Sequence, residues 1–447
     1  MQTKRFYIRK LNRTDANTNY VSWFKDKSVK QFIQGSTQNI TISFLKKYIA
    51  TQNKNKNTLF FGIFSKKDKH VGNIKFNEIN KKHNKVFMGI LIGDKNYRGI
   101  GLTKEVVDFF SEYFYINYNI SNILLGVDKK NQDAIKAYKK SDFQVVKSYT
   151  NKNSLIMNRG YFFEKKIIIG TAQFLDNYGI NRVKSKLSDV TKKSILTNSL
   201  SNKFIYFDTS NAYSTYDKIF KSINGQKIIL KIYITKNNQN FKKSIETIVK
   251  LYKEKFNIKK FYAIMIHNDF EPEDKNLKIF YKFLILLKEK KITKKIGISI
   301  YNFKKILKII NKYKFDIIQC PFSIIDQRLL ENRLLNKLKK KKIEIHVRSI
   351  FLQGLLYKNK FNSYFAKKVS KILNYRKWVK LNSMSIFKSA LYFVLNYPMI
   401  DKLVIGIENK NQINELKKVL KNYKYIKYPA RFKSNDLKLI NPHNWPK

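Results

Sequence analysis

Cysteine is nearly absent from this sequence. One residue, Cys320, stands among 447. That excludes an intramolecular disulfide framework and a cysteine-rich zinc module, and no metal site is expected. Long apolar runs are missing too. No stretch approaches the roughly 18 apolar residues of a spanning helix. The opening stretch Met1–Leu11 alternates basic and apolar residues and lacks the apolar core of a signal peptide. The expected compartment is therefore the cytoplasm. Acid is scarce, with 31 acidic residues against 91 basic ones and a net charge of +60. Core material is not scarce. Apolar residues make up 43% and aromatics 15%, which excludes a mainly disordered chain.

A charge of +60 suggests nucleic acid or an anionic surface. The type of base argues otherwise. Eighty of the basic residues are Lys and 11 are Arg, whereas readers of phosphate and base edges favour the bidentate guanidinium. Lys, Asn and Ile are raised together along the whole chain, as a general compositional bias would do. A nucleic-acid partner is not expected. The field still attracts anionic ligands, phosphorylated substrates among them.

At roughly 100–200 residues per domain the length allows two or three domains. Two blocks separate near the polar stretch Lys147–Asn158, with no long Gly/Ser/Pro linker. The expected domains are 1–160 and 161–447. The first block reads as mixed α+β. Phe6–Arg9 is a strand, Thr18–Gln34 and Ser43–Thr51 are helices, and Leu59–Phe64, His70–Asn77 and Lys85–Gly93 alternate as antiparallel strands. An amphipathic helix then carries Val106, Val107, Phe110 and Phe114. A strand at Ile123–Val127 and a helix at Asn131–Ser141 follow.

The second block repeats strand then helix. Its strands are read at Lys166–Gly170, Phe204–Asp208, Lys227–Ile232, Phe261–Ile266, Lys295–Ser299, Phe315–Gln319, Ile343–Ser349 and Lys402–Gly406. Short β-branched runs suit strands buried in a parallel sheet. Eight β–α units of this size predict a (β/α)8 TIM barrel, α/β in class. An open doubly wound sheet would carry a Gly-rich dinucleotide turn after its first strand, and Gly170-Thr171-Ala172-Gln173 is not that turn.

In such a barrel function sits at the C-terminal ends of the strands. There the sequence places Asp208, then Tyr213, Lys231 within its strand, and His267. A Lys beside a Tyr lowers the phenol's pKa, and a Tyr so tuned hands a proton to a developing alkoxide. Asp208 would hold the Lys, and His267 would orient a carbonyl oxygen. Residues 165–420 resemble the aldo/keto reductase family. Gly170-Thr171-Ala172-Gln173 with Tyr178-Gly179 resembles its first loop, and Gly297-Ile298-Ser299 its fifth strand. Gln319 with Pro321-Phe322 resembles the sixth, and Arg348-Ser349 with Gln353-Gly354 the seventh. Val404-Ile405-Gly406, Gln412 and Glu415 resemble its cofactor clamp. The resemblance implies NADPH or NADH as cofactor, with Ser299 and Gln319 on the carboxamide. Arg348, Ser349, Gly406, Lys410 and Glu415 would surround the phosphates and adenosine. Ile300 stands where the family has Asn, and no Arg lies between Gly406 and Glu415, so Lys410 is the candidate to read a 2′-phosphate.

In the first block, Arg98-Gly99-Ile100-Gly101-Leu102-Thr103 lies between a strand and a helix. Backbone N–H groups at such a turn form an anion cradle. With the helix opened by Asn131 and carrying Tyr138, residues 3–150 resemble the GNAT-type N-acetyltransferases. That implies acetyl-CoA as cosubstrate, held by Arg98, Gly99, Gly101, Leu102, Thr103 and Asn131. Tyr138 is the candidate acid for the leaving thiolate, and Glu78, at a strand end, the candidate base. Trp23 and Phe24 read as core.

A transferase fused to a reductase suggests two steps on one small molecule. A nucleotide-linked amino sugar fits, in the making of surface glycans or flagellin sugars. Two other readings stand beside it: a protein N-terminal acetyltransferase of the ribosomal-protein type with an accessory barrel, and a non-enzymatic Lys-rich binder of RNA or anionic surfaces.

Overall fold

The computed structural model describes residues 1–32, 40–146, 153–174, 187–213, 219–235 and 240–445. The chain divides into two compact units, Met1–Tyr161 and Phe162–Lys447.

The first unit is built on seven strands: β1 (Phe6–Lys10), β2 (Leu59–Ser65), β3 (His70–Asn80), β4 (Lys85–Ile92), β5 (Asn122–Asp128), β6 (Gln144–Val145) and β7 (Ser154–Gly160). Their order is β1-β2-β3-β4-β5-β7-β6. Alternation along β2 sends side chains to both faces. Phe61 and Ile63 join the cluster under the helix Leu102–Tyr118. Phe60 and Phe64 join Tyr20, Trp23, Leu45 and Ile49 on the other face. Strands β4 and β5 are parallel but pair only at Lys85–Phe87 with Asn122–Leu124. Beyond that point β4 continues with no cross-strand partner on that side among the described residues, and the sheet opens.

Three expectations change here. The helix expected over Thr18–Gln34 is broken into Thr18–Ser22, a 3-10 turn at Trp23–Lys25, and Lys27–Lys30. Asp26 leaves the helical region (φ −69°, ψ 120°), and its carboxylate accepts from the Ser28 N–H, starting the next turn. Part of that span, 33–34, lies outside the described residues. Strand β3 runs to Asn80 rather than Asn77, across a bulge that keeps it paired with β4. The polar stretch Lys147–Asn158 is not simply a boundary. Residues from Ser154 on form β7, which pairs with all of β5; 147–152 lie outside the described residues.

The second unit is a closed barrel of parallel strands: β8 (Ile167–Gly170), β9 (Tyr206–Ser210), β10 (Lys227–Ile232), β11 (Phe261–Ile266), β12 (Thr293–Ser299), β13 (Ile317–Pro321), β14 (Glu344–Arg348) and β15 (Lys402–Gly406). Several strands start later than expected because the preceding helix uses their first residue. The Phe204 N–H, for example, donates to the Ser199 carbonyl and ends the helix Asp189–Ser201. Side chains fill the interior, with Ile168, Ile229, Ala263, Met265 and Ile317 in one cluster, as in packed barrels. At the floor, the Tyr262 hydroxyl donates to Glu344 at 2.8 Å, and His346 Nε2 lies 2.8 Å from the same carboxylate. Outer helices such as Phe303–Lys312 bury Ile306, Ile309 and Ile310 and leave lysines toward water. Lys stems can cover apolar surface while the ammonium stays solvated. No described helix is long and apolar enough to cross a membrane.

Candidate active sites

Strand β9 delivers Asp208 and β10 delivers Lys231 to the C-terminal mouth on one face, two positions apart in register, since Asp208 pairs with Ile229 and Lys231 with Ser210. Both side chains are buried, at 2% and 3% exposure, and Lys231 Nζ lies 2.8 Å from Asp208 Oδ1. The same ammonium donates to the Tyr213 hydroxyl at 2.9 Å. Gln319, on β13, closes the group. Its Nε2 donates to Asp208 Oδ2 at 2.9 Å, and its Oε1 accepts from Lys231 at 3.4 Å. His267, just past β11, stands edge-on to Tyr213 with ring centroids 6.0 Å apart. The four residues expected to meet at one mouth do meet.

The electrostatics differ from expectation in one respect. Burial pushes the Tyr213 phenol above its ordinary value, and Lys231 offsets only part of that. The net effect is a protonated phenol at neutral pH rather than a phenol of lowered pKa. Burial also works against the Lys231 ammonium, but Asp208 and Tyr213 outweigh it and hold the charge. Burial, then Lys231, Arg348 and His443, push His267 down to about 2. Its imidazole is neutral. Its Nδ1 lies 2.9 Å from Ser210 Oγ, which already accepts from the Ala212 N–H. With the Ser210 hydroxyl donating to Nδ1, the ring proton sits on Nε2 and makes Nε2 a donor. Ser210 is a positioning residue that the sequence reading missed. It stands two residues beyond Asp208, and nothing in its spacing marks it.

The residues expected around the dinucleotide sit on the ends of β12 to β15. Ser299 is 3% exposed, and its Oγ has no hydrogen-bond partner among the described residues. Ser349 has φ +59°. At Gly406 a Cβ would come within 1.9 Å of the Gln173 amide, the far end of a side chain that would have to move aside. Lys410 opens the helix Lys410–Lys421, and the Asn409 side chain caps it. Glu415 is exposed on that helix. Arg348 is 8% exposed; its Nη1 also lacks a partner, and its guanidinium lies 3.6 Å from the Tyr301 ring centroid. Two buried, unsatisfied donor groups, Ser299 Oγ and Arg348 Nη1, fit a polar ligand at this end of the barrel. The carboxamide of a nicotinamide dinucleotide is such a ligand for Ser299. Tyr301 and His443 were also missed. Tyr178 and Gly179 lie outside the described residues.

In the first unit, Gly99 and Gly101 adopt φ +76° and +81°, conformations open to glycine. Gly101 is the N-cap of the 17-residue helix Leu102–Tyr118. The backbone N–H groups of Gly99, Ile100, Gly101, Leu102, Thr103 and Lys104 have no acceptor among the described residues. Six free donors at a helix N-terminus fit a pyrophosphate, as acetyl-CoA would bring. The Arg98 side chain corrects its expected role. It donates to the Ile92 and Gly93 carbonyls at 3.0 and 2.9 Å and pairs with Asp26 at 2.9 Å. It fastens the turn from behind, while Arg5 donates to the Ile100 carbonyl at 3.0 Å. Asn131 caps the helix Gln132–Lys140 through the Ala134 N–H. Tyr138 is half-buried against Phe143, with ring centroids 5.8 Å apart, and burial pushes its phenol up to about 12. Glu78 is exposed, sits at φ +50° within the β3 bulge, and faces the start of β4. The turn Arg98–Thr103 follows the far end of β4. Glu78 thus lies toward the end of β4 away from the pyrophosphate cradle. Trp23 is core at 3% exposure, and Phe24 is half-buried.

A closed parallel barrel whose mouth gathers these four side chains defines a carbonyl-reducing class of oxidoreductase. Residues 166–429 match the aldo/keto reductase family, and the chain belongs to that family. Residues 5–144 match the acetyltransferase (GNAT) domain. The chain thus joins an acetyltransferase domain, which uses acetyl-CoA, to an aldo/keto reductase domain, which uses NAD(P)H. Among solved structures, the holo form of an aldo-keto reductase from Bacillus halodurans is 14% identical. It covers 63% of this chain and 95% of that one, at a TM-score of 0.50. A spermidine N-acetyltransferase chimera from Vibrio cholerae and hSSAT is 16% identical, covering 35% and 95%, at a TM-score of 0.30. The ribosomal-protein-S5-alanine acetyltransferase from Vibrio fischeri is 15% identical, covering 36% and 96%, at 0.31. The first of these likenesses is one of fold alone. No curated protein matches the chain.

Proposed function

We propose that Asp208, Tyr213, Lys231 and His267 carry out carbonyl reduction in the barrel, and that the first unit acetylates an amine on the same small molecule. The observation that carries the first part is the buried Lys231 ammonium held between Asp208 and Tyr213. A reduced nicotinamide, when bound, supplies the hydride. The chain handles the proton. His267 Nε2 donates to the carbonyl oxygen and fixes its direction. As negative charge grows on that oxygen, the Tyr213 hydroxyl passes its proton across, and Lys231 stabilises the phenolate left behind. Asp208 keeps Lys231 charged, and Gln319 holds Asp208. Ser299, Ser349, Gly406, Lys410 and Glu415 are the dinucleotide's neighbours in this reading, with Lys410 facing a 2′-phosphate if the cofactor is NADPH.

In the first unit the Gly99–Lys104 cradle would hold the pyrophosphate of acetyl-CoA. The amine attacks the thioester carbon, Glu78 as the candidate base takes the proton that the nitrogen loses, the C–S bond breaks, and Tyr138, protonated at neutral pH, gives its proton to the departing thiolate. The acceptor we propose is a nucleotide-linked amino sugar, which would put the protein in surface-glycan or flagellin sugar biosynthesis in the cytoplasm. Two features support it. An amine acetylase and a carbonyl reductase on one chain call for a molecule bearing both groups. A net charge of +60 favours a pyrophosphate-bearing ligand. Titration of intrinsic fluorescence with NADH, NADPH and acetyl-CoA tests the reading. Binding of a reduced dinucleotide and of acetyl-CoA in the micromolar range is expected, and loss of both ends the proposal. Tyr213→Phe should abolish reduction and leave acetyl-CoA binding intact.

A further inference from the structure

Arg348 ends β14 at the mouth of the barrel. It is more than nine-tenths buried, and its guanidinium carbon lies 3.6 Å from the Tyr301 ring centroid. Nη1 has no hydrogen-bond partner among the described residues, and Nη2 makes one long contact, 3.4 Å, to the Ile300 carbonyl. A buried cation without a counter-ion is costly, so the surroundings should offer a carboxylate. Each nearby carboxylate is already engaged. Asp208 is held by Lys231 and Gln319. Asp326 is gripped by both arms of Arg328, at 2.8 and 2.7 Å. Asp269 lies 3.4 Å from Lys305. Among the described residues Arg348 pairs with none of them.

A second base joins it. His443 packs on the same Tyr301 ring, with centroids 4.1 Å apart. Arg348 ends β14 and Tyr301 follows β12, so both lie at the mouth that holds His267, and Arg348 and His443 both help to lower the His267 pKa. Two arms of the mouth, far apart in sequence, thus converge on one aromatic plate: a cation, Arg348, with no ion-pair partner among the described residues, and an imidazole that burial and Arg348 keep neutral.

We propose that Arg348, seated on Tyr301 and backed by His443, binds an oxyanion on the carbonyl substrate itself, so that the barrel reduces carbonyl compounds bearing their own carboxylate or phosphate. This rests on the reductase reading above. The other possible owner of the oxyanion is the dinucleotide, and the experiment separates the two. The planar fork of Arg348 presents parallel N–H groups, which suits a carboxylate or phosphate, and the ring beneath holds that fork in one plane.

The test compares kcat/KM for 4-carboxybenzaldehyde and 4-nitrobenzaldehyde, using the full-length protein. These probes have similar size, and the neutral one is the more electrophilic. The wild type is expected to prefer the carboxylated probe at least tenfold despite that. Arg348→Met should cut its kcat/KM at least tenfold and change the neutral probe's less than threefold, and Arg348→Lys should recover part of the loss. His443→Gln should raise KM for the carboxylated probe and leave kcat near its starting value. A wild type that prefers the neutral aldehyde overturns the inference, whatever the variants do. So does an Arg348→Met that weakens NADH and NADPH binding tenfold while the preference survives, since the arginine then belongs to the dinucleotide. If the wild type binds dinucleotide but reduces neither aldehyde, the reductase reading falls. Calorimetric titration of benzoate into the NADP⁺-saturated protein then decides the anion site. Binding lost in Arg348→Met supports it, and binding unchanged overturns it.

Discussion

Replacing Lys231 by Met should separate chemistry from stability. The substitution keeps the length of the stem and removes the ammonium. Asp208, at 2% exposure, would keep its hydrogen bond from Gln319 but lose its cation. Removing one partner of a buried ion pair costs about 3–5 kcal/mol. At roughly 2–4 °C per kcal/mol for a domain of this size, barrel unfolding should move down by about 6–20 °C. Reduction should fall further than stability explains. The phenolate left on Tyr213 would lose its stabilising charge, and general acid catalysis is worth about 10²–10⁴-fold. The second variant is Asp208→Asn with Lys231→Met. It leaves a neutral amide beside a thioether, with no orphan charge, so most of the melting loss should return. Reduction should not return. Calorimetry of the single and double variants, with NAD(P)H turnover of one aldehyde, gives both numbers. A Lys231→Met enzyme within threefold of wild-type turnover refutes the proton relay. A double variant as unstable as the single refutes the buried-pair argument.

Other outcomes follow from the same geometry. His267 is neutral in the folded state because its pKa is depressed to about 2. Its contribution to stability is full above the unfolded value of about 6.5 and is lost as pH falls toward 2, with a slope of up to ~1.4 kcal/mol per pH unit. Melting of the barrel should therefore drop between pH 6.5 and 4, and His267→Gln should flatten that drop; an unchanged slope argues against a buried neutral imidazole. Gly101→Val should weaken acetyl-CoA binding at least tenfold by straining a φ of +81°, read by calorimetry, with dinucleotide affinity unaltered. Arg98→Gln should lower the melting temperature of the first unit more than it weakens acetyl-CoA, because the side chain is spent on Asp26, Ile92 and Gly93; the reverse order would return Arg98 to the phosphates. Tyr138→Phe should slow acetyl transfer roughly 10²-fold and leave acetyl-CoA affinity within twofold.

The barrel was legible because its strands are local events. Each β-branched run between Lys-rich helices declares itself, and strand ends at one mouth bring Asp208, Lys231 and His267 together wherever they fall in sequence. What escaped the sequence depends on distance or on competition. Tyr301 and His443 stand 142 positions apart and meet through the closing of the chain, which no periodicity encodes. The Arg98 motif was visible, but its acceptors were not: Asp26 sits 72 residues upstream. The direction of the Tyr213 shift depends on how deeply the site is buried, and a sequence shows the neighbouring lysine but not the depth. Strand β7 was hidden because its polar start, Ser154, looks like a loop until β5 is placed beside it.

The parting of β4 from β5 gives the molecule an edge in the middle of its own sheet. From Met88 to Ile92, β4 bonds to β3 on one side and leaves its other row of amides and carbonyls facing a gap. Such a row is a template for any extended strand, including one from another copy of the chain. A filled cleft hides it; an empty one advertises it. A net charge of +60 makes copies of the chain repel one another, which works against such pairing.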